Sequence, residues 1–144
     1  MTRPRYFTLQ EAEAVLPEVE QSIRAALELK RFYVEAEEVL HEEASRIQMS
    51  GGAMVNAARL AAEKSRRDTC AAQLRAAIEQ IHSYGCEVKD LDIGLIDFRT
   101  FYRGREVYLC WKLGEQGIQW WHGLEDGFRG RQAIDEDFLA NHSA

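Results

Sequence analysis

Gly85 constrains this chain more than any other residue, because the hydrophobic period changes there. Before it, apolar residues recur at helical spacing; after it, they alternate with polar ones. In Glu106–Leu113 the apolar set is Val107, Leu109, Trp111 and Leu113, and the other set is Glu106, Tyr108, Cys110 and Lys112. That is a strand with one buried face. Ile118–His122 follows after Gly114-Glu115-Gln116-Gly117, a loop with glycine at both ends, as a hairpin requires. With Leu113 opposite Ile118, Trp111 meets Trp120 and Leu109 meets His122 on the apolar face, while Cys110 meets Trp121 on the other. A turn at Arg103-Gly104 sets Phe98 opposite Leu109, Ile96 opposite Trp111 and Asp97 beside Cys110.

Upstream, Thr8-Leu9-Gln10-Glu11 has the form of a capping box. Pro17 predicts a break near Leu16 and the start of a second, longer helix. No glycine or proline occurs from Glu18 to Ser50, and Val19, Ile23, Ala26, Tyr33, Leu40, Ala44 and Ile47 form a roughly heptad stripe. Ser50-Gly51-Gly52 ends it. A further helix is predicted over 53–84, with Ala57, Leu60, Ala71, Leu74, Ile78 and Ile81 as its stripe and Gly85 at its C-terminal cap. The expected fold class is α+β: a long antiparallel helical hairpin followed by a three-stranded antiparallel β-meander packed on it. The chain reads as one domain over 1–144. It is helical over 8–84, with the meander and a loop over 85–131 and a frayed tail over 132–144. A hairpin of about 45 Å, at ~1.5 Å per residue, exceeds what a small sheet covers. A homodimer or higher oligomer is therefore expected.

The formal charge of −6 argues against bulk nucleic-acid or anionic-membrane binding. No apolar run reaches the length of a membrane span, and MTRPRYFTLQ lacks the apolar stretch of a signal peptide. Three cysteines without paired spacing (Cys70, Cys86 and Cys110) point to reduced thiols and a cytoplasmic address. No motif implies a cofactor.

Asp90, Asp92 and Asp97 in KDLDIGLID are oxygen donors that suit a hard cation, although the spacing is not that of an EF-hand and turn formation explains the first two. His41-Glu42-Glu43 lacks the second histidine of a zincin helix, because position 45 is Ser45. Gly94-Leu95-Ile96-Asp97 echoes a helical endonuclease motif but sits in strand-like surroundings. Cys86 and Cys110 with His82 or His122 could supply zinc donors, but without short C-x-x-C spacing buried free cysteines are the better reading and no zinc site is expected. On the predicted register Tyr108, Cys110, Lys112 and Trp121 form a mixed face for a ligand or partner. His122 lies on the apolar face and needs a hydrogen-bond partner, either a backbone carbonyl or a carboxylate such as Asp126 or Glu11.

YFTLQEAEAVLP, GCEVKDLDIGLIDF, and GREVYLCWKLGE followed by WWH and GFRGR resemble an uncharacterised bacterial family, domain of unknown function 2203. The resemblance spans nearly the whole chain and implies no activity. The family's usual pattern has proline soon after the Asp-Phe pair and Asp-Gly at the next turn; here Arg99 and Arg103-Gly104 stand instead.

Two readings follow. The first is a non-catalytic, dimeric interaction or small-ligand-binding module. The alternative is a small acid–base or metal-assisted enzyme using Asp97, Glu115 and His122, which the predicted register opposes by placing Asp97 and His122 on opposite faces.

Overall fold

The computed structural model describes residues 3–49 and 56–144. The glycine-rich stretch that was expected to end the first long helix lies outside the described residues. Helix α1 runs Leu9–Met49 and α2 runs Ala57–Ser83. They are followed by strands β1 (Glu87–Asp90), β2 (Leu95–Tyr102), β3 (Arg105–Lys112) and β4 (Trp120–Gly123). A 3-10 turn at Phe128–Gly130, β5 (Gln132–Ala133), α3 (Glu136–Asn141) and β6 (His142–Ser143) complete the chain. The fold is α+β, as the change of period predicts, but the sheet has six strands rather than three. Its order is β1-β2-β3-β4-β5, with β6 on β2 and every pairing antiparallel.

The chain divides into two compact units, one of residues 24–77 and one of residues 1–23 with 78–144. In the first, the two helices run antiparallel, as the ion pairs Arg59–Glu43, Arg67–Glu37 and Arg66–Glu35 show. Ala26, Ala36 and Cys70 are buried there. So is Glu43, its carboxylate 3.2 Å from the guanidinium groups of both Arg46 and Arg59.

The second unit holds the sheet. Thr8 and Glu11 close the capping box, the Glu11 amide donating to the Thr8 hydroxyl and the Thr8 amide to the Glu11 carboxylate, each at 3.1 Å. Pro17 does not break the helix; it lies inside α1. An interior proline costs about 3 kcal/mol, but Ala12, Val19 and Ile23 on either side are completely buried in the core and hold the helix across it. That core joins them to Phe7, Ile81, Ile96, Phe98, Leu109 and Trp111, with Phe7 edge-on to Phe98 at 5.2 Å. Burying each large side chain contributes roughly 1.5–3 kcal/mol.

The β2–β3 register matches the prediction: Phe98 faces Leu109, Ile96 faces Trp111 and Asp97 faces Cys110. The β3–β4 register does not. Cys110 faces Trp120, Leu109 faces Trp121 and Tyr108 faces His122, one residue off the hairpin read from Gly114–Gly117. The connection extends instead from Leu113 to Gln119. It is pinned by Trp111 Nε1 donating to the Glu115 carbonyl at 3.1 Å and the Ile118 amide donating to Glu13 Oε1 at 3.2 Å. A one-residue slip turns every side chain of the strand to the other face. Trp121 therefore enters the core, and His122 moves to the face of Asp97 and Cys110.

Residues 132–144, expected as a frayed tail, carry β5, α3 and β6 in the structure. Asp135 caps α3 by accepting from the Phe138 amide at 2.8 Å. Phe138 is fully buried, stacked on Trp121 at 5.2 Å and beside Tyr102 at 4.9 Å.

Candidate functional site

The polar face of the sheet carries Asp97 from β2, Cys110 from β3 and His122 from β4, all buried. Asp97 and Cys110 are direct cross-strand partners, and His122 is two residues beyond Trp120, which faces Cys110. Three neighbouring strands thus hold three chemically different side chains in one place. Their donor atoms all lie within 4.8 Å of one another.

The histidine is held from both sides. Nδ1 is 2.7 Å from the Gly123 carbonyl, and Nε2 is 3.0 and 3.1 Å from the two carboxylate oxygens of Asp97. Both neighbours offer acceptor oxygens, an arrangement that favours the doubly protonated ring. Burial is the largest influence and works against that charge. The Asp97 hydrogen bond, the Gly123 carbonyl and the charges of Asp97 and Asp126 together outweigh it and hold the pKa above the usual histidine range. Gly123 is itself positioned, because its amide donates to Asp126 Oδ2 at 3.1 Å. A Cβ at this glycine would lie 2.5 Å from that oxygen. The backbone carbonyl expected for His122 is that of Gly123, while the two carboxylates named as candidates take other roles. Asp126 orders the strand end and acts on the ring through its charge, and Glu11 caps α1.

Cys110 connects this pair to a second. Arg131 lies with Nη1 3.9 Å from the Cys110 sulfur, and it forms a two-pronged bond with Glu115, at 3.0 Å to Oε1 and 2.6 Å to Oε2. Glu115 Oε1 also accepts from the Lys112 amide at 2.6 Å. Desolvation, reinforced by the Asp97 charge, pushes the Cys110 thiol up to about 12 despite Arg131. Cys86, which lies near the Ile81 carbonyl, is pushed up to about 12 by burial. At pH 8 roughly one in 10,000 of either thiol is ionised, and thiolate is the reactive form. Alkylation of the native protein at pH 8, read site by site by mass spectrometry, is therefore expected to label Cys86 and Cys110 at least about 100-fold more slowly than in the urea-unfolded chain.

Of the residues predicted for a ligand face, Tyr108, Cys110 and Lys112 lie on this face. Tyr108 packs its ring 5.4 Å from that of His122, and its hydroxyl is 3.4 Å from Lys89 Nζ. Trp121 does not belong; Trp120 takes the place beside Cys110, with the Arg131 guanidinium 5.0 Å over its ring. Of the three predicted catalytic groups, Asp97 and His122 are joined directly, while Glu115 reaches them only through Arg131 and Cys110. Asp90 and Asp92 are exposed, and Asp90 accepts from the Asp92 amide at 3.0 Å in a turn. Among the described residues, the side chains close enough to hold a metal ion together are Asp97, Cys110 and His122, without Asp90 or Asp92. Cys86 and His82 stand apart from it, and His82 Nε2 accepts from the Val88 amide. Sequence reasoning missed Arg131; its signal was the arginine closing the Gly-rich GFRGR segment.

No helix among the described residues is long and apolar enough to cross a membrane, and all three cysteines are free. No curated protein and no solved structure matches the chain. A family model described as an uncharacterized conserved protein (DUF2203) matches residues 5–134. The chain belongs to the DUF2203 family.

Proposed function

We propose that the protein is a non-catalytic small-ligand-binding module whose site is the polar sheet face around Asp97, Cys110 and His122. The observation that carries this reading is the continuous network from the buried Asp97, His122 and Cys110 to the half-buried Arg131 and Glu115. Buried charges are costly, and apolar residues of similar volume at such positions often give equal or greater stability. A network of this kind is therefore better accounted for by recognition than by stability. Its resting state disfavours the acid–base alternative. Both His122 nitrogens are engaged, and the Cys110 thiol is far from ionising at neutral pH. Ligand and metal screening by thermal shift tests the reading, because a species that binds only the native fold raises its melting temperature. We expect a stabilising species whose effect is lost in Arg131→Ala. If no species shifts the transition, the reading fails.

The module is also proposed to act as a homodimer. Val34 in the helical hairpin and Leu124 and Phe128 beside the site are exposed apolar side chains, and such surface is commonly used in contacts. Light scattering at micromolar concentration is expected to give twice the 16.5 kDa mass of one chain. A single-chain mass would count against dimerisation without touching the ligand site.

A further inference from the structure

We infer that Asp97, Cys110 and His122 form a binding site for a divalent transition-metal ion, with zinc the best match to the donor set. This inference rests on the reading of the polar sheet face as a ligand site and names the ligand class.

The donors come first. One thiol, one imidazole and one carboxylate are the three ligand types zinc takes, and three protein ligands leave the fourth tetrahedral position for water or an exchangeable ligand. Calcium and magnesium want several oxygens and have little use for sulfur. The thiol therefore selects for a borderline or soft ion.

Orientation is the second point. A metal-bound histidine almost always donates its other ring N–H to a carbonyl or carboxylate, which fixes the tautomer. His122 makes that bond from Nδ1 to the Gly123 carbonyl at 2.7 Å. The remaining nitrogen, Nε2, is aimed at Asp97 and Cys110. What sits there in the metal-free chain is a proton shared with Asp97. An ion would displace that proton and the thiol proton of Cys110, leaving imidazole, carboxylate and thiolate as ligands.

Distance is the third. Zinc bonds of about 2.0–2.3 Å imply donor–donor separations of roughly 3.3–3.6 Å in a tetrahedron. The present donors lie 3.0 Å apart for His122 and Asp97, and within 4.8 Å for all three. Reaching tetrahedral separations takes relative shifts of the donor atoms of about 1 Å. Arg131 is placed to act on the thiolate. Its guanidinium faces the sulfur at 3.9 Å, and Glu115 holds it through two hydrogen bonds, one of them from the nitrogen that faces the sulfur. The bland alternative is a buried thiol beside a structural His–Asp ion pair. It accounts for each residue singly but gives no reason for three different metal donors to converge.

The test uses the full chain, stripped with a chelator and titrated with Co²⁺ as a spectroscopic probe and then with Zn²⁺. One equivalent of Co²⁺ should produce a near-ultraviolet thiolate-to-cobalt band together with the visible bands of a four-coordinate ion, and Zn²⁺ should abolish both. Cys110→Ser should remove the thiolate band and weaken zinc binding at least about 100-fold, more than is typical for loss of an outer partner. Cys86→Ser should change neither. If Cys110→Ser does not fold, one equivalent of Zn²⁺ should still protect Cys110, and not Cys86, from alkylation in the wild type under mildly denaturing conditions. A wild type that binds neither ion near one equivalent, or a Cys110→Ser spectrum equal to the wild type's, overturns the metal site. If an organic compound nevertheless stabilises the chain through Arg131, the metal inference alone has failed. If nothing stabilises it, the binding-module reading has failed as well.

Discussion

Replacing Asp97 with alanine is expected to destabilise the protein by about 3–5 kcal/mol, the usual cost of removing one partner of a buried ion pair. Asp97 is 1% exposed and receives the Nε2 proton of a histidine that is itself 2% exposed. Without the carboxylate, the buried ring must stay charged with only the Asp126 charge to offset it or give up its proton. Either outcome forfeits most of what the pair contributes. Urea unfolding gives the number directly. Asp97→Asn, which keeps one acceptor oxygen, should lose less. The control is Asp90→Asn, at an exposed turn position where the amide oxygen can still receive the Asp92 amide. Its effect should stay within about 0.5 kcal/mol. A loss below about 1 kcal/mol for Asp97→Ala would mean that the carboxylate does not partner His122.

Phe138→Ala should cost about 3–5 kcal/mol, the range for a buried aromatic truncated in a packed core. Phe138 is completely buried and touches three aromatic neighbours, Tyr102, Trp121 and His142, with ring centroids at 4.9, 5.2 and 5.4 Å. The neighbouring Leu139 is 46% exposed, and Leu139→Ala should stay within about 0.5 kcal/mol. Comparable small losses at both positions would return the tail to the frayed segment its acidic composition suggests. A large difference fixes α3 and β6 as part of the sheet unit.

The contrast between these two sites shows what could be read from the chain alone. The β2–β3 pairing was legible because Arg103 and Gly104 both adopt positive φ, 51° and 79°, which is what the tightest two-residue hairpin turn demands. The alternation on either side then had one consistent register. The β3–β4 pairing was not legible, since its connection is set by contacts that are remote in sequence or specific to the loop. Glu13 on α1 captures the Ile118 amide, and Glu115 holds both the Lys112 amide and the Trp111 indole. None of these leaves a periodic trace. The one-residue slip they impose decides the candidate site, because it brings His122 to Asp97 and sends Trp121 to the core.

Short strands were lost for another reason. β1 is charged and only four residues long, and β5 and β6 have two residues each, too few for any alternation to show. They exist because neighbouring backbone is available to pair with. Phe101 and Tyr102, for example, reach past the end of β1 and bind β6. Asp135 did carry a local signal, as an N-cap three residues before Phe138, but it was masked by the acidic residues around it. Arg131 is held by Glu115, Cys110 and the rings of Trp120 and Phe128, and no spacing rule links those residues.

The central claim is that Asp97 and His122 are partners on one face of the sheet, and a double-mutant cycle in the presence of a chelator tests it most directly. Stabilities of the wild type, Asp97→Asn, His122→Gln and the double variant are measured by urea unfolding. Residues in one buried network are expected to couple, here by about 1–3 kcal/mol. Effects that add to within about 0.5 kcal/mol, as for distant independent sites, would contradict the pairing and restore the register in which His122 lies opposite Leu109.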